Sequence, residues 1–459
     1  MAETGTHPDF SLSEHRDRGS LVYVLFISFV AAVGGFLFGF DTGVISGAIT
    51  FVTEHFQLNA HQEGFAVSNL MIACALGALV VGTLTDRFGR KKILIIAALL
   101  FFISALMSAF PQTFTGLVIG RFVGGLAVGI ASVVSPMYIA EISPAHMRGR
   151  LVAINQLAIV IGILSTFFSN WLLVDIGPNN WRWMFAVGAF PSGIFFLFLL
   201  FIPESPRWLV KQGKVDIAFA ILSRVGGSNH AETEIKEIKS TIEKEEGSIV
   251  ELWKKPGLRK ALWVGILLAL FAHITGIDTI TYYGPVIFMK AGFESASSAL
   301  LATVLLGINS LIFVIIGMSL VDRFGRKPLM LIGMIGMGIS LAYTGYTFQS
   351  DTIGAIWIIV PIITYLASFQ ISIGVVIWVY LSEIFPTKVR GRAMSIATFI
   401  LWFSNVIVTQ TFPWMIENLK GKTFYLYSGI CFIAFLFVLF MLAETKGKTL
   451  EEIERMWER

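Results

Sequence analysis

The sequence predicts an all-α membrane protein whose twelve transmembrane helices form two pseudo-symmetric six-helix bundles. Three observations support this fold class. Hydrophobic residues make up 55% of the chain and charged residues only 14%, whereas a soluble domain carries about 25% charged residues. Apolar runs of about 20 residues, the length that crosses a bilayer as a helix, recur along the whole chain. Polar motifs between these runs occur twice, once in each half.

The apolar runs are separated by short polar segments, and each run is interpreted as one membrane span. Several runs contain Gly or Pro, which is common in membrane helices. The expected spans, numbered one to twelve, are residues 21–51, 63–84, 92–110, 115–140, 150–173, 182–202, 260–289, 298–320, 328–348, 353–381, 392–415 and 422–443. The even number of spans places both chain ends on the same side of the membrane.

The basic residues indicate the orientation of the spans. Nearly all Lys and Arg fall in the two tails and in the loops on the same side as the tails. Four lie on the other side (Arg182, Lys290, Lys420 and Lys422), and Arg121 lies inside span four. Because cytoplasmic loops carry the excess of positive charge, we expect both termini to be cytoplasmic, in a multi-pass plasma or inner membrane protein.

Two loop motifs repeat at a nearly constant spacing. The segment Asp86–Lys91 after span two recurs as Asp322–Lys327 after span eight, and Glu141–Pro144 after span four recurs as Glu383–Pro386 after span ten. Repeated halves with a site between them at the middle of the membrane are typical of secondary transporters.

The only long hydrophilic segment joins the two halves. Ile235, Ile238 and Ile242 follow a helical spacing among Glu and Lys, which favours two to four short amphipathic helices over the alternative of a solvated linker. The polar first 20 residues show no signal-peptide pattern. The expected organisation is a tail (1–20), a bundle (21–202), a cytoplasmic linker (203–259), a second bundle (260–443) and a short tail (444–459).

One carboxylate, Asp41, lies in the middle of span one, within the glycine-rich stretch Gly35–Gly47. An ionisable group at this depth costs on the order of 2.5–3.5 kcal/mol, so it is a functional candidate by default. The structural alternative is an Asp that caps a helix break or faces a water-filled cavity.

The loop motifs together resemble those of the sugar porter family of the major facilitator superfamily. The resemblance extends from about Val22 to Glu452, and among its members the sequence is most similar to bacterial sugar–proton symporters of the xylose–proton type. The motifs are Gly89-Arg90-Lys91, Pro136–Ile142, Arg148-Gly149-Arg150, Pro203–Leu209, Ser382–Pro386, Arg390-Gly391-Arg392 and Glu444–Gly447. The resemblance implies the major facilitator fold and import of a hexose, pentose or related polyol by alternating access, without a cofactor.

The resemblance also implies how protons are coupled to transport. The proton symporters of the family pair an acid in span one with an Arg in span four, which here are Asp41 and Arg121. Burial favours the protonated form of a carboxylate and a nearby Arg favours its charged form. A motion that alternates these surroundings lets the carboxylate bind a proton on one side and release it on the other.

The expected sugar site combines neutral polar groups with aromatic rings, because a sugar has many hydroxyls and no charge. Gln156 in span five and Trp378 in span ten match the glutamine and the tryptophan of the family. For the aromatic side chains, helix packing is the alternative role. Further candidates are Phe38, Tyr282, Tyr283, Trp402 and Asn405.

Span seven departs from the family pattern. The family has Gln-Gln-x-x-Gly-Ile-Asn where this chain has Ala272 to Asp278, so His273 and Asp278 replace amides that usually contact sugar. A site built for particular hydroxyls is selective, so the identity of the sugar is open. Whether Asp278 is a second proton site or a neutral acid that holds substrate is also open. Val375 replaces a proline in span ten, which predicts a different bend there.

Acidic and basic residues at the cytoplasmic helix ends predict a gate. Such groups can hold the two bundles together in one state and release them in the other. The alternative is that the basic residues only set the topology. The gate candidates are Arg87, Glu141, Arg148 and Glu204 in the first half and Arg323, Glu383, Arg390 and Glu444 in the second.

Other function classes are less compatible with the sequence. No nucleotide-binding loop, metal-ligand cluster or nucleophile motif is present, so an enzyme and a nucleic-acid partner are not expected. Cys74 and Cys431 lie in apolar runs and are expected to be buried thiols. A proton-independent uniporter and a non-transporting sugar sensor on the same scaffold remain alternatives to a symporter. The expected partners are the sugar or polyol, protons and the lipid bilayer, and we expect a monomer.

Overall fold

A computed structural model describes residues 19–144, 147–242, 253–350, 355–385 and 389–448, together with 452, 453 and 456. All regular structure in these residues is helical. Within them, 12 helical segments are long and apolar enough to cross a membrane. Each of these segments overlaps one expected span, so the predicted all-α class with twelve spans is confirmed.

The first half contains seven helices for six spans, because span six is divided. A turn at Val187 and Gly188 separates its two helices. The helices are α1 (Leu21–Phe56), α2 (Ala60–Phe88), α3 (Arg90–Ala109), α4 (Phe114–Ile142), α5 (Arg148–Leu173), α6 (Asn180–Ala186) and α7 (Ala189–Phe201).

Capping residues and one glycine explain where these helices begin and end. The Ser20 side chain accepts from the Tyr23 backbone at the start of α1, and Asn59 with Gln62 forms a capping box at the start of α2. Gly89 joins α2 to α3 with φ 91°, a backbone conformation that glycine adopts without steric cost. These local signals fix the sharp turn at the first repeated loop motif.

Among the described residues of the linker, three short helices follow the first half: α8 (Pro206–Lys211), α9 (Val215–Gly226) and α10 (Ser228–Ile242). Ile235 and Ile238 of α10 are buried, and α10 packs on α8 and α9. The backbone N–H of Ser20 donates to the Arg224 carbonyl at 2.9 Å, which ties the linker helices to the start of α1. The side chain of Ile242 lies outside the described residues.

The second half contains eight α-helices for six spans, because spans seven and ten are each divided. They are α11 (Pro256–Ile274), α12 (Ile277–Lys290), α13 (Ala296–Phe324), α14 (Arg326–Gln349), α15 (Ile359–Ile371), α16 (Ile373–Ile384), α17 (Arg390–Asn418) and α18 (Lys422–Met441), with a 3-10 turn at Ala355–Ile358 before α15.

The two breaks have different local causes. In span seven, Gly276 has φ 95°, and a Cβ atom there would lie 2.9 Å from the Tyr427 ring, so both the backbone and the space require glycine. In span ten, the break falls at Ser372 (φ −118°, ψ −103°), whose hydroxyl donates to the Ser368 carbonyl at 2.5 Å. The helix therefore bends three residues before Val375, without the family's proline.

Among the described residues, the most extensive contacts between the two bundles are those of α2 with α17, α5 with α13, and α1 with α12. We call the face with loops 86–91 and 322–327 the charged face and the face with loops 57–59 and 291–295 the opposite face. The Ser68 hydroxyl donates to Gln410 Oε1 at 2.6 Å, and Gln410 Nε2 donates to the His61 carbonyl at 3.0 Å. Both hydrogen bonds join the bundles near the opposite face.

Candidate functional site

The carboxylate of Asp41 and the guanidinium of Arg121 form an ion pair between α1 and α4. Arg121 Nη1 lies 2.9 Å from Asp41 Oδ1, and both Nη atoms donate to the Asp41 carbonyl at 3.0 Å. The Arg121 side chain is 1% exposed, and its guanidinium lies 5.5 Å from the centre of the Phe185 ring. A permanently charged Arg at this depth requires a partner, and Asp41 provides it through side chain and backbone.

The ion pair leaves one carboxylate oxygen free. Asp41 Oδ2 is buried and has no hydrogen-bond partner among the described residues. Asp41 is one of the residues that line a cavity of about 10 Å³, together with Phe185, Gly188 and Ser192, and this volume has room for about one water molecule. A Cβ atom on Gly124 would lie 2.7 Å from Oδ2, so this glycine keeps the space open. The free oxygen can accept a proton while Oδ1 stays bonded to Arg121.

A second polar cluster lies at the break in span seven, and we call it the His–Asp–Asn cluster. His273 Nδ1 is 2.6 Å from Asp278 Oδ2, and Asn405 Nδ2 of α17 donates to Asp278 Oδ1 at 3.0 Å. The Asn405 nitrogen is also 3.4 Å from His273 Nδ1. The helix break at Gly276 between α11 and α12 brings together His273 and Asp278, which are five residues apart in sequence.

The members of this cluster differ in accessibility. The imidazole of His273 is 17% exposed, whereas the side chain of Asp278 is 6% exposed and each of its oxygens already has a partner. The Tyr282 hydroxyl, one helical turn further on, interacts with the Asn405 amide. His273 therefore has surface that a ligand could contact, whereas Asp278 is buried and both of its oxygens are already bonded.

Other sugar-site candidates lie between or beside the bundles. The rings of Phe38 in α1 and Trp402 in α17 have centroids 5.8 Å apart, so they contact across the two halves. Gln156 in α5 is half-buried. Trp378 in α16 is 39% exposed. The structure thus brings Phe38 and Trp402 together and leaves surface on Gln156 and Trp378.

Tyr283 has a different position from the other candidates. Its hydroxyl donates to the Thr409 carbonyl at 2.8 Å, its ring packs on Phe412 with centroids 5.1 Å apart, and the side chain is fully buried. Its backbone leaves the helical region (φ −116°, ψ 16°). The described contacts of Tyr283 fix α12 against α17 and include no member of the His–Asp–Asn cluster.

At the charged face of the first half, Glu141 and Glu204 form hydrogen bonds with Arg90, whereas the guanidinium of Arg87 packs on a neighbouring ring. Arg90 Nε and Nη2 donate to the two oxygens of Glu141, both at 2.9 Å. Glu204 accepts from the backbone N–H groups of Arg90 at 2.8 Å and Lys91 at 3.0 Å. The Arg87 guanidinium instead lies 5.2 Å from the centre of the Phe88 ring.

The second half repeats this arrangement. Arg326 Nε and Nη2 donate to the two oxygens of Glu383 at 3.2 and 2.7 Å. Glu444 accepts from the backbone N–H groups of Arg326 and Lys327. Partial burial opposes the charged form of Glu444, but the backbone N–H groups of Lys446, Arg326, Lys327 and Thr445 outweigh it and lower the pKa of the carboxyl.

The remaining gate candidates are placed as follows. Arg148 pairs with Glu234 of α10 at 3.0 Å, which links α5 to the linker helices. Arg323 is exposed, and its carbonyl accepts from Lys446 Nζ at 2.5 Å. The side chain of Arg390 lies outside the described residues. In this structure the ion pairs of Arg90 and Arg326 stay within one half each.

Sequence reasoning missed Arg90 and Arg326 as central groups of the charged face. A signal was available, because each is the first residue of a helix that follows a glycine turn. An Arg there points back across the turn toward the acid of the neighbouring helix. Ser68 and Gln410 were also missed, and single polar residues in long apolar helices gave no signal for them.

Two similar halves of six spans each, with ionisable groups buried inside each half and a shared seam between them, are the architecture of a multi-pass membrane transporter. A family model described as "Sugar (and other) transporter" matches residues 27–457. The chain belongs to this family of sugar transporters and is not an enzyme.

Two bacterial transporters are similar to this chain over nearly their whole length. The chain is 44% identical to the arabinose-proton symporter of Bacillus subtilis (strain 168), covering 95% of this chain and 96% of that protein. It is 37% identical to the D-xylose-proton symporter of Escherichia coli (strain K12), covering 95% and 96%. Among solved structures, the inward open conformation of the xylose transporter XylE from E. coli has a TM-score of 0.83 at 36% identity, covering 95% of this chain and 100% of that one.

Proposed function

We propose that the chain imports a sugar together with protons by alternating access, with a pentose as the first substrate to test. The observation that carries this proposal is the buried Asp41–Arg121 pair with its free carboxylate oxygen. Arg121 neutralises Asp41 when the acid is charged. Protonation of Oδ2 weakens the attraction between α1 and α4, so the proton changes the relative stability of the two transport states.

The sugar is proposed to bind between the bundles, where side chains from the two halves approach each other, as Phe38 and Trp402 do. His273 and Tyr282 supply polar groups from α11 and α12, Gln156 supplies an amide from α5, and the rings of Trp378 and Trp402 cover apolar faces of the sugar. An uncharged ligand fits such a mixture of neutral donors and aromatic surface. The relatives that are named for arabinose and xylose support a pentose.

The charged face is proposed to be cytoplasmic, because it carries most of the Lys and Arg. The bundles are joined near the opposite face by Gln410 with Ser68 and His61. With this orientation the structure is an inward-facing state, as in the inward open XylE structure. Arg90 with Glu141, and Arg326 with Glu383, are proposed to meet the other bundle when the cytoplasmic side closes.

The test uses the purified protein in proteoliposomes with labelled arabinose or D-xylose. An inward proton gradient should drive accumulation of the sugar, and a protonophore should abolish it. Asp41→Asn should lower the number of protons moved per sugar by one while sugar exchange continues. Equilibration of the sugar without accumulation, equally fast with and without the proton gradient, would identify a uniporter, and a lack of any exchange would favour a sensor.

A further inference from the structure

The two buried carboxylates differ in their counter-charges. Asp41 faces Arg121, which stays charged at any physiological pH. Asp278 faces His273 and the neutral amide of Asn405, and a histidine side chain, unlike that of arginine, exists in neutral and charged forms. In the described part of the second half, every Lys and Arg lies at or near a helix end. Among these described residues, Asp278 therefore has no permanently charged positive partner inside the membrane.

The short contact between His273 and Asp278 defines two charge states. A distance of 2.6 Å between Nδ1 and Oδ2 requires a proton between them, because two lone pairs at this distance repel. With that single proton the pair carries one negative charge. A second proton on the imidazole makes the pair a neutral imidazolium–carboxylate. The Asn405 amide donates to Asp278 Oδ1 in either state.

The surrounding groups do not neutralise the pair. Tyr282 of α12 interacts with Asn405, Tyr365 of α15 donates to the Thr275 carbonyl at 3.1 Å, and the Tyr427 ring of α18 covers Gly276. Phenols are uncharged at physiological pH. From the first half, α1 brings Asp41, which is already paired with Arg121. The side chain of α17 that contacts the pair, Asn405, is neutral, and so is Thr303 of α13, which lies beside Gly284 of α12.

We propose that the His273–Asp278 pair is a second proton site, so that each sugar is accompanied by two protons. This inference rests on the proposed sugar transport. While water reaches the imidazole, which is 17% exposed, it stabilises the anionic pair. When a sugar covers the imidazole and excludes this water, an uncompensated charge becomes costly. A proton from water then binds His273 Nε2, and it leaves to water with the sugar when the other side opens.

The experiment measures the sugar gradient that a membrane potential sustains in proteoliposomes. With labelled arabinose or D-xylose and no pH gradient, about 59 mV balances a tenfold sugar gradient if one proton moves per sugar and a hundredfold gradient if two move. We expect a hundredfold gradient for the unaltered chain. We expect a tenfold gradient for Asp278→Asn and for His273→Gln, which restores the family's amide.

The outcomes distinguish failure of the second proton site from failure of the proposed sugar–proton symport. A tenfold gradient for the unaltered chain overturns the second site and leaves sugar–proton symport intact. The absence of potential-driven accumulation overturns the symport itself. A hundredfold gradient in Asp278→Asn shows that the second proton binds elsewhere and overturns the assignment.

A second measurement follows sugar binding to the protein in detergent. It does not require that Asp278→Asn or His273→Gln transport sugar. Calorimetry of arabinose or D-xylose binding in buffers of different ionisation enthalpy counts the protons taken up per sugar. In Asp41→Asn, where the first site is lost, we expect proton uptake on sugar binding to persist. Binding without proton uptake in this variant would overturn the proposal, even if Asp278→Asn fails to fold.

Discussion

Replacing Gln410 with Ala tests whether its contacts hold the two bundles together near the opposite face. Gln410 makes hydrogen bonds with Ser68 and with the His61 carbonyl, and both cross the seam. At about 1 kcal/mol for each hydrogen bond, their loss destabilises the state seen here by about 2 kcal/mol. Since 1.4 kcal/mol is a tenfold change, the population should shift roughly 30-fold toward states open at the opposite face.

Pulsed electron paramagnetic resonance measures this population directly. Spin labels at Ile176 of the first half and Lys422 of the second report the separation of the bundles at the opposite face. The native Cys74 and Cys431 are free but buried, so they do not compete for the label. Gln112→Ala, at an exposed loop position, is the matched control. If Gln410→Ala gives the same distance distribution as the control, the contacts of Gln410 do not hold the two bundles together, and the reasoning is refuted.

Three further predictions concern single positions. Gly276→Ala should destabilise the protein by at least about 1–2 kcal/mol, because the φ of 95° is strained for any residue with a Cβ. Gly429→Ala is the control, because a Cβ atom at Gly429 has no neighbour within 4 Å, and it should not lower the melting temperature. An equal loss of stability in the two variants would contradict this prediction. Arg326→Lys should cost about 1–3 kcal/mol of thermal stability through loss of the forked contact with Glu383, whereas the exposed Arg323→Lys should be neutral. Because the pKa of Glu444 is lowered, its negative charge stabilises the fold at pH values above the ordinary pKa of 4.5. This stabilisation is lost as the pH falls toward the lower pKa of the folded state. Glu444→Gln should therefore lose less stability on acidification than the unaltered chain, and identical acid unfolding of the two proteins would contradict this.

The twelve spans could be predicted because each carries its own signal. A run of about 20 apolar residues has few alternatives to a membrane helix, and the two copies of the loop motif set the symmetry. The division of spans seven and ten was not predicted. Gly276 and Ser372 lie among many glycines and serines that do not break helices, and the break at Gly276 depends on the position of the Tyr427 ring, which is distant in sequence.

The candidate site was predictable where a charge stood alone in an apolar span. Asp41 and Arg121 were paired from the sequence through the family pattern, and the structure places them in contact. The choice between Arg87 and Arg90 could not be made, because both lie in the same short motif and the side-chain direction depends on the turn at Gly89. The role of Asp278 depends on contacts with His273 and Asn405, and the second of these comes from a helix more than 100 residues away.

The similar hydrogen-bond networks around Arg90 and Arg326 affect how each half can deform. In each half, one arginine fastens three parts of the chain to one another: the turn between two spans, the acid at the end of a third, and the segment that follows the sixth. Each half is thereby stiffened at its charged end. Among the described residues, two spans of the second half are broken, at Gly276 and Ser372, and one span of the first half is broken, at Val187 and Gly188. Because the second half contains more of these breaks, we expect it to bend more than the first half during each transport cycle.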